Sequence, residues 1–74
     1  MPHINIKCYP IELSDNERST LVATLTESIA ETFKCDQGVI SIALEPVGKD
    51  EWQERVYRPE IIERTELLLK KPNY

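Results

Sequence analysis

A chain of 74 residues with nine Lys/Arg and thirteen Asp/Glu carries a formal charge of −4, and its longest basic run is Lys70–Lys71, so the Lys/Arg stripe of a nucleic-acid surface is missing. No apolar stretch approaches the roughly 20 residues of a membrane-spanning helix, and one His with two distant Cys makes no zinc-site spacing. A domain this small buries only about 60% of the surface its unfolded chain exposes, and therefore needs a disulfide, a metal or association with other copies.

The N-terminus runs straight into alternating residues rather than a basic-then-apolar leader. That predicts a cytoplasmic, reducing location with Cys8 and Cys35 as free thiols, which leaves self-association as the reinforcement. From His3 to Cys8 the residues alternate, with Ile4, Ile6 and Cys8 on one face and His3, Asn5 and Lys7 on the other. A period of two predicts a strand buried on one side, and Pro10 ends it. Ser14-Asp-Asn-Glu17 is a capping box. It starts a helix expected over about 15–34, roughly 30 Å long, with Leu21, Val22, Leu25, Ile29 and Phe33 as its apolar stripe. Glu17, Thr20, Thr24, Glu27 and Glu31 form the opposite face. Asp36-Gln37-Gly38 signals a turn. Val39–Leu44 follows as a second strand, apolar enough to be buried on both faces.

Strand, long helix and strand form a β-α-β unit, expected parallel and right-handed. Gly48–Tyr57 has no clean period, and a short helical turn is expected around Trp52. Pro59 suits the first turn of a final helix with Ile61, Ile62, Thr65, Leu68 and Leu69 on one side, stopped by Pro72. The expected fold is thus α+β: two parallel strands, one long helix and a short C-terminal helix in a single domain over 1–74. Two strands do not make an independently stable sheet, and their edges stay open. Pairing two copies yields a four-stranded sheet, so a homodimer is expected.

Pro2 is the first candidate for chemistry. A small second residue permits removal of Met1, which leaves a secondary amine at the head of a strand. An α-amino group has a reference pKa of about 7.7–8.0. Burial or a nearby cation lowers it, into the range where a general base works best. Met-Pro starts are also common, and Pro2 alone does not define a site.

Pro2–Pro10 (Pro-His-Ile-Asn-Ile-Lys-Cys-Tyr-Pro), Ile40–Leu44 (Ile-Ser-Ile-Ala-Leu), Glu51-Trp52 and Lys70–Tyr74 (Lys-Lys-Pro-Asn-Tyr) occur in an order and spacing that resemble the 4-oxalocrotonate tautomerase family. They resemble most its short bacterial branch of phenylpyruvate tautomerase-like proteins. The resemblance spans the whole chain. It implies a β-α-β subunit and an amino-terminal proline, here Pro2, as general base. It implies proton transfer between carbon and oxygen of an enol or keto acid without a cofactor. The branch is associated with dimers, and the aromatic residue after the second strand, which shapes the family's apolar pocket, falls on Trp52.

The founding enzyme of the family uses one arginine just after the first strand and another in the second strand. The corresponding positions here hold Ile11, Glu12 and Leu13, and Ser41. Ser41 offers a hydrogen bond without charge, and loss of a charged donor can cost a few kcal/mol of transition-state stabilisation. A monocarboxylate or aromatic enol such as phenylenolpyruvate is therefore expected rather than a dicarboxylate dienol. Arg55, Arg58 and Lys7 are candidate replacement cations, though such residues are more often solvated surface charges. Trp52 could equally anchor a core or interface, His3 faces a sheet surface or a neighbouring subunit, and Cys8 fits as a small core hydrophobe. Two other functions stay open: a related dehalogenase or decarboxylase using Glu12 or Glu45, and a non-catalytic dimeric binding module.

Overall fold

In the computed structural model, which describes residues 1–74, the alternation at the N-terminus becomes strand β1 (His3–Cys8). It pairs in parallel with β2 (Ser41–Pro46), in register from His3 opposite Ser41 to Cys8 opposite Pro46. Helix α1 (Asp15–Phe33) makes the crossover between them, as a parallel pair requires. In β1 the apolar Ile4 and Ile6 are half-buried while His3 and Asn5 are exposed.

The second strand begins two residues later than its apolar run suggests. The Asp36 carboxylate accepts the Gly38 N–H at 2.8 Å, and the Val39 and Ile40 N–H groups bond back to the carbonyls of Asp36 and Gln37. Gln37–Val39 is thereby wound into a turn of 3₁₀ helix, a local side-chain bond prevailing over strand propensity. At the far end β2 runs on to Pro46. The next residue, Val47, donates its N–H to the Cys8 carbonyl at 2.7 Å and closes the ladder. Burial on both faces is not reached: Ile42, Ala43, Leu44 and Glu45 are all only half-buried.

The capping box of α1 forms as expected. Ser14 Oγ accepts from the Glu17 N–H at 3.1 Å, and Glu17 Oε1 accepts from the Ser14 N–H at 2.8 Å. The helix closes at Lys34, held left-handed at φ 54° and ψ 51°, where the Cys35 N–H reaches back to the Ala30 carbonyl at 3.1 Å, the bond of a Schellman-type end. Only the middle of the apolar stripe, Leu25 and Ile29, is half-buried. Leu21, Val22 and Phe33 stay exposed, Phe33 at 61%.

The C-terminal segment departs furthest from expectation. Pro59 does not open a final helix but lies inside one, a π-helix over Gln53–Ile62. In an α-helix the proline ring would strike the carbonyl four residues back, that of Arg55. Hydrogen bonds to the fifth residue back, such as Glu63 N–H to the Arg58 carbonyl at 3.0 Å, widen the turn and accommodate it. The Thr65 hydroxyl then bonds the carbonyls of Ile61 and Ile62 at 2.9 and 2.8 Å and ends the helix. The expected stripe therefore breaks: after one further turn (Thr65–Leu67), Leu68 is half-buried and Leu69 wholly exposed.

Only Val47 and Val56 are buried, and the radius of gyration is 14.0 Å, where a compact chain of this length measures about 11 Å. A single copy thus leaves unfilled the core that its sequence should form. The π-helix reaches the polar side of the sheet by ion pairs from Arg55 to Glu45 and from Glu60 to Lys7.

Replacing Ser14 by Ala should lower stability by about 1 kcal/mol through loss of the cap. Lys34→Gly should raise it by about 0.5–1 kcal/mol by removing left-handed strain. Urea unfolding at one fixed protein concentration measures both, and an unchanged Ser14→Ala midpoint would show the cap to be idle.

Candidate active site

Pro2 stands immediately before β1 and is half-buried. Its carbonyl accepts the Ser41 N–H at 3.2 Å, a bond that ties it to the first residue of β2. Across the same rung His3 Nδ1 lies 2.6 Å from Ser41 Oγ. The starts of the two parallel strands therefore gather Pro2, His3 and Ser41. Met1 is 90% exposed, so its removal disturbs nothing packed. Ser41, expected as a substrate contact, does lie beside Pro2, but its hydroxyl is engaged by His3.

Trp52 lies at the opposite end. Its ring meets Tyr9 edge-to-face, with centroids 5.1 Å apart and planes at 83°, a favoured aromatic geometry. Together with Pro10, Ile11 and Tyr74, they line an open, mostly apolar pocket of about 600 Å³. Tyr74 in turn packs against Tyr57 at 5.6 Å. At about 3.3 Å per residue, β1 separates this pocket from Pro2 by roughly 20 Å. Within one chain the expected base and the expected pocket wall do not meet.

The candidate cations are arranged along the polar sheet face and the π-helix. Arg55 is held by Glu45 at 3.2 Å and Glu51 at 3.5 Å. Glu45 also accepts from Asn5 Nδ2 at 3.0 Å. That hydrogen bond, with the charges of Lys7 and Arg55, keeps the Glu45 carboxyl below its ordinary pKa. Lys7 is paired with Glu60, which also holds Arg64 at 3.3 Å. The Lys7 hydrogen bond, followed by the Lys7 and Arg64 charges, likewise lowers Glu60. Arg58 is exposed, makes no ion pair and is not among the pocket's lining residues. Sequence reasoning missed the His3–Ser41 and Asn5–Glu45 contacts. The signal was present, since parallel strands that alternate in step bring His3, Asn5 and Lys7 to the same face as Ser41 and Glu45, but it required the true start of β2.

A sequence profile of the family described as "Tautomerase enzyme" matches residues 2–58. The chain is 36% identical to Tautomerase PptA of Enterobacter sp. (strain 638) over 74 residues, covering 100% of this chain and 97% of that one. With the same coverage it is 39% identical to the proteins of that name from Klebsiella pneumoniae (strain 342) and Escherichia coli O157:H7. The chain belongs to the tautomerase family, and it is an isomerase. Within that class it is a 4-oxalocrotonate tautomerase-type protein of the phenylpyruvate tautomerase-like kind. No helix is long and apolar enough to cross a membrane.

Glu45 and Glu60 have folded pKa values below the ordinary 4.5. Their contribution to stability is complete above that value and is lost as pH falls through the folded values. Unfolding midpoints measured across acid pH should therefore decline below about pH 4.5. The deficit of Glu60→Gln relative to the parent protein should shrink over the same interval, whereas a constant deficit would mean the carboxylate charge is not what matters.

Proposed function

We propose that the chain is a cofactor-independent keto-enol tautomerase for an aromatic or monocarboxylate 2-keto acid of the phenylenolpyruvate kind, with the Pro2 nitrogen, freed by removal of Met1, as general base. The Pro2 nitrogen takes the enol O–H proton as the C–O bond becomes a carbonyl. The electron pair of the C=C bond then forms a new C–H bond with the proton returned from Pro2, so no group is gained or lost. A secondary amine partly withdrawn from water suits both transfers, because burial disfavours its charged form.

The observation that carries this proposal is the placement of Pro2, half-buried at the head of β1, tied to Ser41 and preceded only by an exposed Met1; its separation from the Tyr9–Trp52 pocket by the length of β1 calls for a second copy. The whole chain, 1–74, acts as one domain and works as a homodimer. A two-fold axis at a sheet edge runs the partner's strands antiparallel, which brings the partner's Trp52 pocket beside this chain's Pro2. The aromatic tail of the substrate packs there while its reacting carbons face the nitrogen. Exposed Ile11, Phe33 and Val39 and the open sheet edges supply apolar and hydrogen-bonding surface for the pairing. Arg55 is engaged by two carboxylates, and Arg58 stands apart from the pocket lining. Lys7 borders the pocket but is paired with Glu60, so the substrate carboxylate falls to the Pro2 end, where His3 and Ser41 lie. The same contacts argue against water activation through Glu45, since Asn5, Lys7 and Arg55 occupy or offset its carboxylate and make it a weaker base.

Ultraviolet assay of phenylenolpyruvate ketonisation by protein lacking Met1 tests the base. Pro2→Ala should lose about 10²–10⁴-fold in kcat, whereas undiminished activity removes Pro2 from the mechanism. No activity in either protein would favour a non-catalytic dimer. Sharing of the site is tested by mixing Pro2→Ala with Trp52→Ala after unfolding and refolding together. Each mixed dimer retains one intact site, so about a quarter of the parent activity should return if subunits pair at random. No recovery would place base and wall in the same subunit.

A further inference from the structure

Three polar features lie outside the base and the aromatic pocket: the groove along α1 at Asn16–Thr24, the Asn5–Glu45–Arg55 network, and the His3–Ser41 pair. The groove is a solvated helix face, and every charge of the network is already matched. The pair is different. Ser41 fixes Pro2 through its backbone N–H and His3 through its hydroxyl, and only one of the two imidazole nitrogens is used.

We propose that His3 is the donor that holds the substrate carboxylate at Pro2, with its Nε2–H, and that Ser41 is the positioning residue that sets it. When Ser41 Oγ–H donates to Nδ1, the neutral ring must carry its proton on Nε2. A protonated ring donates from both nitrogens and still presents Nε2–H. In both of these states the outward nitrogen is a donor, which suits an anion, whereas a ring that donated Nδ1–H to Ser41 Oγ would present a bare Nε2. The side chain is exposed, so the nitrogen is accessible without rearrangement. It belongs to the residue next to the base, at the end of the sheet where Ser41 ties both together. Lys7 and Arg55, the other candidate cations on this face, are tied to Glu60 and to Glu45 and Glu51. His3 thus fills the role left open where the family's second-strand arginine is replaced by Ser41. The assignment rests on Pro2 being the base, but its tests are separable from that one.

His3 is the chain's only histidine, so long-range proton–nitrogen NMR reports its two ring nitrogens without assignment. The probes are cinnamate and its uncharged analogue cinnamamide, added to protein lacking Met1. Cinnamate should shift Nε2, initially protonated, and leave Nδ1 nearly unmoved, while cinnamamide should shift Nε2 far less. The same responses are expected in Pro2→Ala, where activity is gone, so the His3 result stands or falls independently of the base. In the enol assay His3→Leu should raise KM by about 10- to 100-fold with kcat little changed, the signature of a lost charge-assisted bond made equally in ground and transition states. His3→Gln, which keeps a donor near the Nε2 position, should recover part of the loss. Ser41→Ala should raise KM less than His3→Leu and abolish the nitrogen asymmetry of the ring. A silent Nε2 at saturating cinnamate, or an unaltered KM in His3→Leu while Pro2→Ala is inactive, would overturn the assignment and leave the base in place.

Discussion

Parallel pairing of two strands places both strand starts at one end of the sheet and both strand ends at the other. Everything chemical in this molecule follows from that arrangement. β1 and β2 begin together at His3 and Ser41 and finish together at Cys8 and Pro46. The residue before β1 is Pro2, and the segment after β2 leads to Trp52. A crossover helix makes the parallel pair possible, and the same connection keeps the nitrogen and the aromatic wall at opposite ends. In the proposed homodimer, the antiparallel symmetry of a two-fold axis reunites them.

The two faces of the sheet are treated differently. The apolar face carries Ile4, Ile6, Ile42 and Leu44, all half-buried, and forms the small core of a single copy together with the middle of α1. The polar face is bound by charge. Asn5, Lys7 and Glu45 are hydrogen-bonded or ion-paired to each other or to the π-helix. Such exposed pairs add little stability individually. Their arrangement nevertheless orients the helix that follows Trp52, and so holds the pocket end of the molecule in place. With only Val47 and Val56 buried, a single copy has little core of its own, as expected of a domain this small.

Much of this fold was legible in the chain because it depends on local rules. The Ser14–Glu17 capping box and the alternation from His3 to Cys8 act over a few residues, and the structure realises them where they occur. The errors arose where one local rule competed with another. Val39 and Ile40 have strand propensity, but the Asp36 carboxylate binds the Gly38 N–H and delays the strand to Ser41. Pro59 suits a first helical turn, but a chain already helical from Gln53 can accept it by widening to π geometry. Trp52 was recognisable as an aromatic wall, yet its distance from Pro2 depends on the register of β1 with β2. The contact between His3 and Ser41 arises from pairing across 38 positions of sequence, which no local spacing encodes.

β1 is thereby a gauge as well as a scaffold. Its six residues determine how far the Pro2 nitrogen stands from the aromatic cleft of the same copy, and hence, under the proposed shared site, how two copies overlap for a substrate to span both. Inserting one residue would turn His3 toward the core and Ile4 toward water while sliding the overlap by a full step. Under that proposal the length of this short strand is constrained by the size of the molecule that fits between two chains, independently of any contact the strand makes within its own.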